Sequence, residues 1–443
     1  MANLSDRSVR QDYSPALDLS TEPDQRMVRA IRPETVIRSH RIATMSGETG
    51  YGLVDGWVAI GGGRVLAVES GEVPTSWCDL DSGVESVDAR DRIILPGFVD
   101  AHTHLVHAGS RENELAMKLA DVPYLEILAK GGGIHGTVRL TREATKEELY
   151  RKAAKSLDVM LEHGTTTVEA KSGYGLDLVT EIKCLEVARD LDRMHPIDVI
   201  STYLGAHAVP KEYNGNTRAY MDFMMKTVMP FVRQEGLAEF MDVFCEAGVF
   251  SPEEAFELLQ AGHGMGFGLK LHADEIVPLQ GAELAARMNA VSADHLLAAS
   301  DEGIAALAES GVTAVLLPGT SFYLMTGKFA RARRMLESGV RVAVASDYNP
   351  GTCPCENLQA IQVFACMGLR MTPEEILRGM TVNAAHALRH ADSVGTIEPG
   401  KKADLVLYDA PNPDWLVYHF GSNPVDVVYK SGRVVVRNGR RTT

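Results

Sequence analysis

Apolar runs alternate with helix-like stretches through the middle of the chain, from about residue 93 to residue 392. Each apolar run has the length of a buried strand, and each is followed by a stretch with helical composition or a helix-capping sequence. Such alternation is typical of parallel strands joined by helical crossovers. The predicted strands read IILPGFVDAH, TTTVEA, DVISTYLGAH, FMDVFCEAG, GLKLHAD, NAVSADH, VTAVLLPG and RVAVASD.

Three of the predicted helices have recognisable starts. Thr145, Ser251 and Thr372 each stand three residues before a glutamate, as in a capping box, and Pro252 and Pro373 suit the first helical position. About eight β/α repeats in roughly three hundred residues predict a closed (β/α)8 TIM-like barrel. An open doubly wound sheet is the alternative that the pattern alone leaves open.

Short β-rich segments flank this middle part on both sides. The first segments read TVIRSHRIATM and WVAIGGGRVLAVE, with a glycine-rich hairpin turn, and the last read ADLVLYDA, DVVYKSG and RVVVRNG. Because chain ends commonly lie close together in space, we expect the two sets to form one small β-sandwich domain.

The pattern divides the chain into four parts. Residues 1–30 are polar and without periodicity, which predicts a loosely ordered N-terminal arm. Residues 31–92 and 394–443 are the predicted first and second parts of the small β domain, and residues 93–393 are the predicted barrel.

Composition narrows the function classes. The chain has 443 residues, of which 45% are hydrophobic and 23% charged, as in a soluble globular protein. The net charge of -15 and the lack of a concentrated Lys/Arg run argue against a nucleic-acid partner. No stretch approaches the roughly 18 apolar residues of a membrane span, and the N-terminus lacks the apolar core of a signal peptide. Six scattered cysteines without a Cys-x-x-Cys pair fit a reducing compartment, so we expect a cytoplasmic protein.

Polar side chains collect where the predicted strands end. In a (β/α)8 barrel the chemistry belongs at the C-terminal ends of the strands. A single histidine at a strand end could simply bond to the backbone. If the histidines were placed by chance, however, they would also lie on helix faces and at strand starts, so the set as a whole indicates a site. The residues at strand ends are His102, His104, His207, His272, His295 and Asp347.

Imidazoles and a carboxylate at one barrel mouth indicate a site for a divalent metal such as zinc or iron. Side chains two apart on a strand point to the same side, so both histidines of the His-Thr-His sequence can reach one ion. The predicted ligands are His102, His104, His272 and Asp347. His207 and His295 compete for these places, and spacing alone does not exclude them.

Glu275 stands three residues after His272. A carboxylate there can take a proton from metal-bound water and deliver it to a leaving nitrogen. It could equally cap the helix that follows. The sequence favours neither interpretation.

Several motifs resemble those of the amidohydrolase superfamily, namely PGFVDAHTH, GLKLHADE, SADH and ASDYNPG. The resemblance narrows to the imidazolonepropionase family through GGGIHGTVRLTREAT, VEAKSGYGLDLVTEIKCLEVAR, YLGAHAVP, DVFCE, GAELAA, LLPGTSFYL and NPGT. It covers roughly residues 93 to 400 and implies hydrolysis of the cyclic amide of 4-imidazolone-5-propanoate to N-formimidoyl-L-glutamate, the third step of histidine degradation. It also implies one zinc or iron ion, and a homodimer is expected.

The resemblance also implies roles for individual residues. The metal ligands fall on the four residues predicted above, with Glu275 as general base and His295 beside the attacking water and the carbonyl. In the mechanism we expect, Asp347 also relays a proton. The implied substrate pocket consists of Arg111, Tyr174, His207, Asn349, Gly351 and Thr352. Arg111 follows the first predicted strand, and a guanidinium is the natural partner of a propionate carboxylate.

Two details refine this hypothesis. Many amidohydrolases hold two metals bridged by a carboxylated lysine on the fourth strand, but DVFCEAG has no lysine and Lys171 and Lys270 lie elsewhere, which predicts one metal. Cys353 and Cys355 depart from the expected small or polar residues beside the site, and unpaired cysteines usually behave as small apolar residues.

Two other functions fit parts of the sequence. Another cyclic amidohydrolase or a ring deaminase would share the metal site but would not need an arginine for a propionate. A catalytically inactive barrel serving as a scaffold would show damage to the metal set, whose predicted members are all present.

Overall fold

The computed structural model describes residues 33–78, 83–120, 122 and 132–442. The predicted N-terminal arm, residues 1–30, lies outside this part. The strands are β1 (Thr35–Ala43), β2 (Leu53–Gly61), β3 (Arg64–Ser70), β4 (Glu85–Asp88), β5 (Ile93–Pro96), β6 (Phe98–Asp100), β7 (Thr165–Lys171), β8 (Asp198–Ala206), β9 (Phe240–Cys245), β10 (Gly268–Ala273), β11 (Ser292–His295), β12 (Thr313–Leu316), β13 (Val342–Val344), β14 (Leu405–Tyr408), β15 (Val425–Lys430), β16 (Arg433–Arg437) and β17 (Arg440–Arg441).

Helices follow most barrel strands. They are α1 (Thr75–Cys78), α2 (Leu115–Leu119), α3 (Gly133–Glu143), α4 (Lys146–Glu162), α5 (Leu178–Met194), α6 (Thr217–Phe223), α7 (Met229–Gln234), α8 (Pro252–Gly264), α9 (Gly281–Arg287), α10 (Asp301–Ser310), α11 (Pro318–Tyr323), α12 (Ala332–Glu337), α13 (Leu358–Gly368), α14 (Pro373–Gly379), α15 (Val382–Ala387) and α16 (Pro413–Tyr418). The predicted capping boxes at Thr145, Ser251 and Thr372 are confirmed, since each has both reciprocal hydrogen bonds. Within the described residues, no helix has the length and apolar content needed to cross a membrane.

Strands β6 to β13 form the predicted barrel. They make one eight-stranded parallel sheet in chain order. The sheet closes beyond its first and last strands, where Thr103 bridges to Tyr348, the Asp347 amide donates to the His102 carbonyl (3.0 Å) and the His104 amide donates to the Tyr348 carbonyl (2.8 Å). The closed barrel is therefore confirmed over the open doubly wound sheet.

The run expected to be the first barrel strand is two strands instead of one. Strand β5 pairs with β1 and β14 in a different sheet, and only β6 belongs to the barrel. The break falls at Gly97, where a Cβ would lie 2.2 Å from the Thr166 hydroxyl oxygen. Both strands are fully buried, so the apolar run looks continuous in the sequence. The division of the chain into residues 1–30, 31–92, 93–393 and 394–443 remains a prediction.

The two β-rich ends of the chain pair with each other as expected. Their strands form a nine-stranded mixed sheet in the order β17-β16-β15-β14-β5-β1-β2-β3, with β4 on β1. The sheet folds back on itself, because the Val65 amide donates to the Lys401 carbonyl (2.9 Å) and the Ala403 amide donates to the Gly63 carbonyl (3.0 Å). Both halves bury apolar side chains in one cluster, as in a β-sandwich.

Candidate active site

Five imidazoles meet at the C-terminal rim of the barrel. His102 and His104 follow β6, His207 follows β8, and His272 and His295 lie at the ends of β10 and β11. Ring centroids are 4.6 Å apart for His102 and His272, 5.4 Å for His102 and His104, and 5.1 Å for His272 and His295. The predicted strand-end residues are therefore brought together.

Three of these histidines and one aspartate offer donor atoms to a common point. One nitrogen from each of His102, His104 and His272 lies within 4.8 Å of the others. Oδ1 of Asp347 lies 3.6 Å from Nε2 of His102 and 3.4 Å from Nε2 of His104, while its Oδ2 accepts a hydrogen bond from Thr320 (2.5 Å). Nε2 of His102 and Oδ1 of Asp347 are buried and have no hydrogen-bond partner among the described residues. These free donors fit a divalent metal ion.

Carboxylates below the rim orient two of the imidazoles. Nδ1 of His102 lies 2.6 Å from Oδ2 of Asp294, and Nδ1 of His272 lies 2.9 Å from Oδ2 of Asp242. A carboxylate can only accept, so Nδ1 of His102 carries the proton and its Nε2 keeps its lone pair for a metal. Nδ1 of His272 lies against Asp242 without the angles of a hydrogen bond. Burial alone would lower the pKa of His272, but Asp242 raises it.

A buried group of charges lies deeper in the barrel and was not predicted from the sequence. The group consists of Glu169, Lys171, Asp242, Lys270 and Asp294, with fully buried side chains. The available signal was one or two charged residues inside each of four strands whose other residues, apart from the rim histidines, are mostly apolar or small, in VEAK, FMDVF, LKLH and SADH. Such residues are rarely buried unless they are paired.

His207 lies beside the proposed donor set and outside it. Its ring stacks on His104 at 4.9 Å, and its Nδ1 is bonded to the Gly173 carbonyl (3.0 Å). Burial lowers the pKa of His207 to about 3, so its ring is neutral at pH 7. Together with Tyr174, whose ring lies 5.2 Å from it, His207 forms a wall of the mouth.

Glu275 faces the rim and does not cap the following helix. Its Oε1 lies 3.6 Å from Nδ1 of His295, and its side chain is 12% exposed. The amides of Gly281 and Ala282 at the start of α9 donate to Asp274 instead. Burial, with a contribution from Asp347, raises the pKa of Glu275 to about 8. The capping interpretation is therefore wrong.

Arg111 is held at the same rim by Glu114. Its Nε and Nη2 donate to the two carboxylate oxygens at 2.9 and 2.8 Å, and Glu114 also accepts from the Gly133 amide (2.7 Å). A Cβ on Gly351 would lie 2.2 Å from Nη1 of Arg111. The guanidinium is thus packed against the loop that follows Asp347, and a side chain larger than that of glycine at position 351 would displace it.

Asn349 uses its side chain within that loop. Its Nδ2 donates to the Asp347 carbonyl (2.7 Å), and its Oδ1 accepts from the amides of Gly351 and Thr352, both at 2.8 Å. These contacts fix the loop that presents Gly351 and Thr352 to the mouth.

Tyr174 lies on a loop that is tied to α5 by one buried carboxylate. Oε1 of Glu181 accepts from the amides of Gly175 (2.8 Å), Leu176 (2.9 Å) and Gly173 (3.2 Å). Gly173 has a φ of +105°, and a Cβ there would lie 2.7 Å from the Leu204 carbonyl oxygen, so this position requires glycine.

Cys353 and Cys355 are free thiols, Cys353 buried and Cys355 partly buried. Burial raises the pKa of both, which suppresses the reactive thiolate. Both are consistent with small apolar residues beside the site.

Comparisons with known proteins point to one family. The family model described as "Amidohydrolase family" matches residues 246–435. The chain is 58% identical over 386 residues to an imidazolonepropionase of Treponema denticola, covering 87% of this chain and 93% of the relative. It is 49% identical over 422 residues to an imidazolonepropionase of a Geobacillus species, covering 93% of this chain and 99% of the relative.

Solved structures share the fold at low sequence identity. An adenosine deaminase from Xanthomonas campestris with bound zinc is 18% identical, with a TM-score of 0.64 over 93% of this chain and 94% of that one. A triazine hydrolase variant is 19% identical, with a TM-score of 0.67 over 92% of this chain and 95% of that one. At such identities the likeness supports the fold alone.

Proposed function

The chain belongs to the imidazolonepropionase family, and we infer from this that it hydrolyses the cyclic amide of 4-imidazolone-5-propanoate to N-formimidoyl-L-glutamate. Water adds to the ring carbonyl carbon, the bond from that carbon to the ring nitrogen breaks, and the nitrogen takes up a proton. The convergence on one rim of a metal donor set, a protonatable carboxylate and a guanidinium supports this inference.

We propose that His102, His104, His272 and Asp347 hold one divalent ion, zinc or iron. The free Nε2 of His102 and the free Oδ1 of Asp347 support this set. When bound, the ion supplies Lewis acidity to the substrate carbonyl and to water. One ion is favoured over two because β9, the fourth barrel strand, contains no lysine.

Glu275 is the proposed general base. Its side chain is 12% exposed and faces the rim, where a carboxylate can accept a proton and return it. Glu275 takes a proton from the attacking water and returns it to the ring nitrogen as the C–N bond breaks. His295, 3.6 Å from Glu275, is placed to donate a hydrogen bond to the carbonyl oxygen as negative charge develops there, and Asp347 assists proton transfer.

Arg111 is the proposed partner of the substrate propionate. Glu114 occupies Nε and Nη2, while Nη1 points towards Gly351. The ring of the substrate would lie between this guanidinium and the proposed metal ligands, against Tyr174 and His207. Asn349, Gly351 and Thr352 shape the loop on the other side of the pocket.

The function is tested by supplying 4-imidazolone-5-propanoate and measuring N-formimidoyl-L-glutamate. Replacing Glu275 with Gln keeps the size of the side chain but removes the base, so we expect kcat to fall by roughly a hundredfold or more, with the bound metal retained. E253Q, on the exposed first turn of α8, is the matched control. Full activity in E275Q would refute the role of Glu275.

The arginine separates this reaction from that of a ring deaminase. R111A should raise KM for the imidazolone, because the variant lacks the guanidinium that is proposed to bind the propionate. A deaminase substrate without a propionate would not depend on this guanidinium. Unchanged kinetics in R111A would favour the deaminase.

Two further statements are part of the proposal. The five cysteines whose side chains are described are free thiols, which supports a cytoplasmic location. The homodimer rests on the family resemblance and is tested by light scattering coupled to size-exclusion chromatography.

A further inference from the structure

The buried ammonium of Lys171 contacts both carboxylates that orient the proposed metal-binding histidines. Its Nζ lies 2.7 Å from Oδ2 of Asp242 and 3.5 Å from Oδ2 of Asp294. The same Asp242 oxygen lies 2.9 Å from Nδ1 of His272, and the same Asp294 oxygen is hydrogen-bonded to Nδ1 of His102 (2.6 Å). One cation thus bridges two carboxylate–imidazole pairs that come from three strands and from the segment after a fourth, β6.

The surroundings fix this ammonium in place. Glu169 approaches Lys171 Nζ at 2.9 Å, and the Thr202 hydroxyl in turn donates to Glu169 (2.5 Å). The side chain of Lys171 is fully buried, as are those of the three carboxylates it contacts. Burial of an unpaired charge is costly, so removing the ammonium would leave three carboxylates with one compensating cation, Lys270.

We propose that Lys171 is a positioning residue for the metal site. Through Asp242 and Asp294 it sets the orientation of His272 and His102, so that both Nε2 atoms point at one place on the rim. This inference rests on the proposed metal ligands. In this role Lys171 need not contact metal or substrate. A lysine that bridges two metals would lie on the fourth barrel strand, β9, whereas Lys171 ends β7 in the barrel interior.

Lys270 supplies a matched comparison within the same chain. It is also fully buried in a barrel strand, and its ammonium pairs with Glu169 at 2.9 Å. Among the described residues, Lys270 forms an ion pair with Glu169 and with neither of the aspartates beside His102 and His272. Lys171 and Lys270 therefore match in charge and burial and differ in their contact with the histidine supports.

The test measures metal binding to the full-length protein stripped of metal. Zn²⁺ affinity is measured by competition with a chromophoric chelator, and the visible spectrum of the Co²⁺-loaded protein reports on ligand geometry. K171M should weaken Zn²⁺ binding by roughly 10–100-fold and change the Co²⁺ spectrum. K270M should weaken binding by less than about threefold, even where both variants lower the melting temperature of the metal-free protein alike.

A double variant and a milder variant complete the design. Both substitutions act on His102, so their effects on Zn²⁺ affinity should not be independent. The double variant K171M/D294N should lose less Zn²⁺ affinity than the product of the losses in K171M and in D294N. K171Q, which keeps a hydrogen-bond donor, should still weaken binding roughly tenfold and replaces K171M if that variant does not fold.

The outcomes separate the two proposals. Wild-type Zn²⁺ affinity in K171M or K171Q, equal losses in K171M and K270M, or strictly additive effects in the double variant would each overturn the positioning role. Failure of the wild-type protein to bind one equivalent of ion would instead overturn the proposed metal site itself.

Discussion

Asp347 divides its two carboxylate oxygens between two contacts. Oδ2 accepts from Thr320, and Oδ1 faces the histidines. Asp347 and His295 also adopt left-handed backbone conformations, with φ of 54° and 75°. Such conformations are costly for residues other than glycine and cluster at functional sites. Single residues at this rim are therefore held by their surroundings in the geometry that the proposed chemistry needs.

Gly351 tests the position of Arg111 without removing the guanidinium. An added methyl group in G351A would meet Nη1 of Arg111 at 2.2 Å and displace it. Loss of a charge-assisted contact to the substrate should raise KM roughly tenfold or more, with a smaller change in kcat. Steady-state kinetics on the imidazolone measure this.

G264A is the control for that substitution. A Cβ on Gly264, at the end of α8, would meet nothing within 4 Å, so G264A should leave KM unchanged. A wild-type KM in G351A would contradict the proposed role of Arg111.

At the scale of elements, the rim loop that carries Tyr174 is held by one buried side chain of the following helix. Glu181 on α5 collects three amides of the loop that carries Tyr174. In E181Q an amide group would replace one accepting oxygen, so the loop should loosen at a cost of roughly 1–3 kcal/mol. Denaturant unfolding gives the stability loss, and hydrogen exchange should be faster at residues 173–176.

E186Q on the same helix is the control for E181Q. Glu186 is about 35% exposed and pairs with Lys146 near the surface, where such pairs contribute little. Equal exchange rates at residues 173–176 in E181Q and wild-type protein would refute the role assigned to Glu181.

An ion cluster joins the barrel to the mixed sheet. Oδ2 of Asp198, at the start of β8, lies 2.8 Å from Nζ of Lys402 and 2.7 Å from Nζ of Lys430. Burial opposes ionisation of Asp198, but the two ammonium groups outweigh it and lower its pKa. A folded-state pKa below the unfolded value stabilises the protein above about pH 4, and the stabilisation is lost as the pH falls further.

D198N should therefore lower the melting temperature at pH 7. The expected loss is roughly 1–3 kcal/mol, and the difference from wild type should shrink below about pH 4. Calorimetry at several pH values measures it, with D392N at an exposed position as the control. A difference that stays constant down to pH 3 would exclude the ion pairs as its cause.

At the scale of the whole molecule, the proposed metal would link strands from opposite sides of the barrel. His102 and His104 follow the first barrel strand, His272 ends the fifth, and Asp347 follows the last. An ion bound by the folded barrel alone stabilises it, by about 2.7 kcal/mol when its free concentration is a hundred times Kd. Removing the ion should therefore lower the melting temperature and abolish turnover.

Dialysis against a chelator, followed by calorimetry and the imidazolone assay, measures both effects. Adding back zinc or iron should restore them together. Full activity in protein shown to be free of metal would contradict the metal-dependent reaction.

Local patterns were enough to predict much of this molecule. Apolar runs of strand length, alternating with stretches of helical composition that begin at capping boxes, predict parallel strands joined by helices. Parallel strands in a barrel place all their C-terminal ends on one rim, so strand-end residues such as His102, His272 and Asp347 could be grouped before any distance was known.

Only the tertiary structure decided which of these polar groups meet. The register and closure of the barrel set His207 beside the donor set, bring Lys171 between Asp242 and Asp294, and divide one apolar run at Gly97 between two sheets. The sequence by itself determined most of the elements and the rim on which the chemistry lies, because those follow from local patterns of apolar and polar residues and from chain direction. Contacts between strands far apart in the chain depend on side-chain directions inside the closed barrel, which no local pattern encodes.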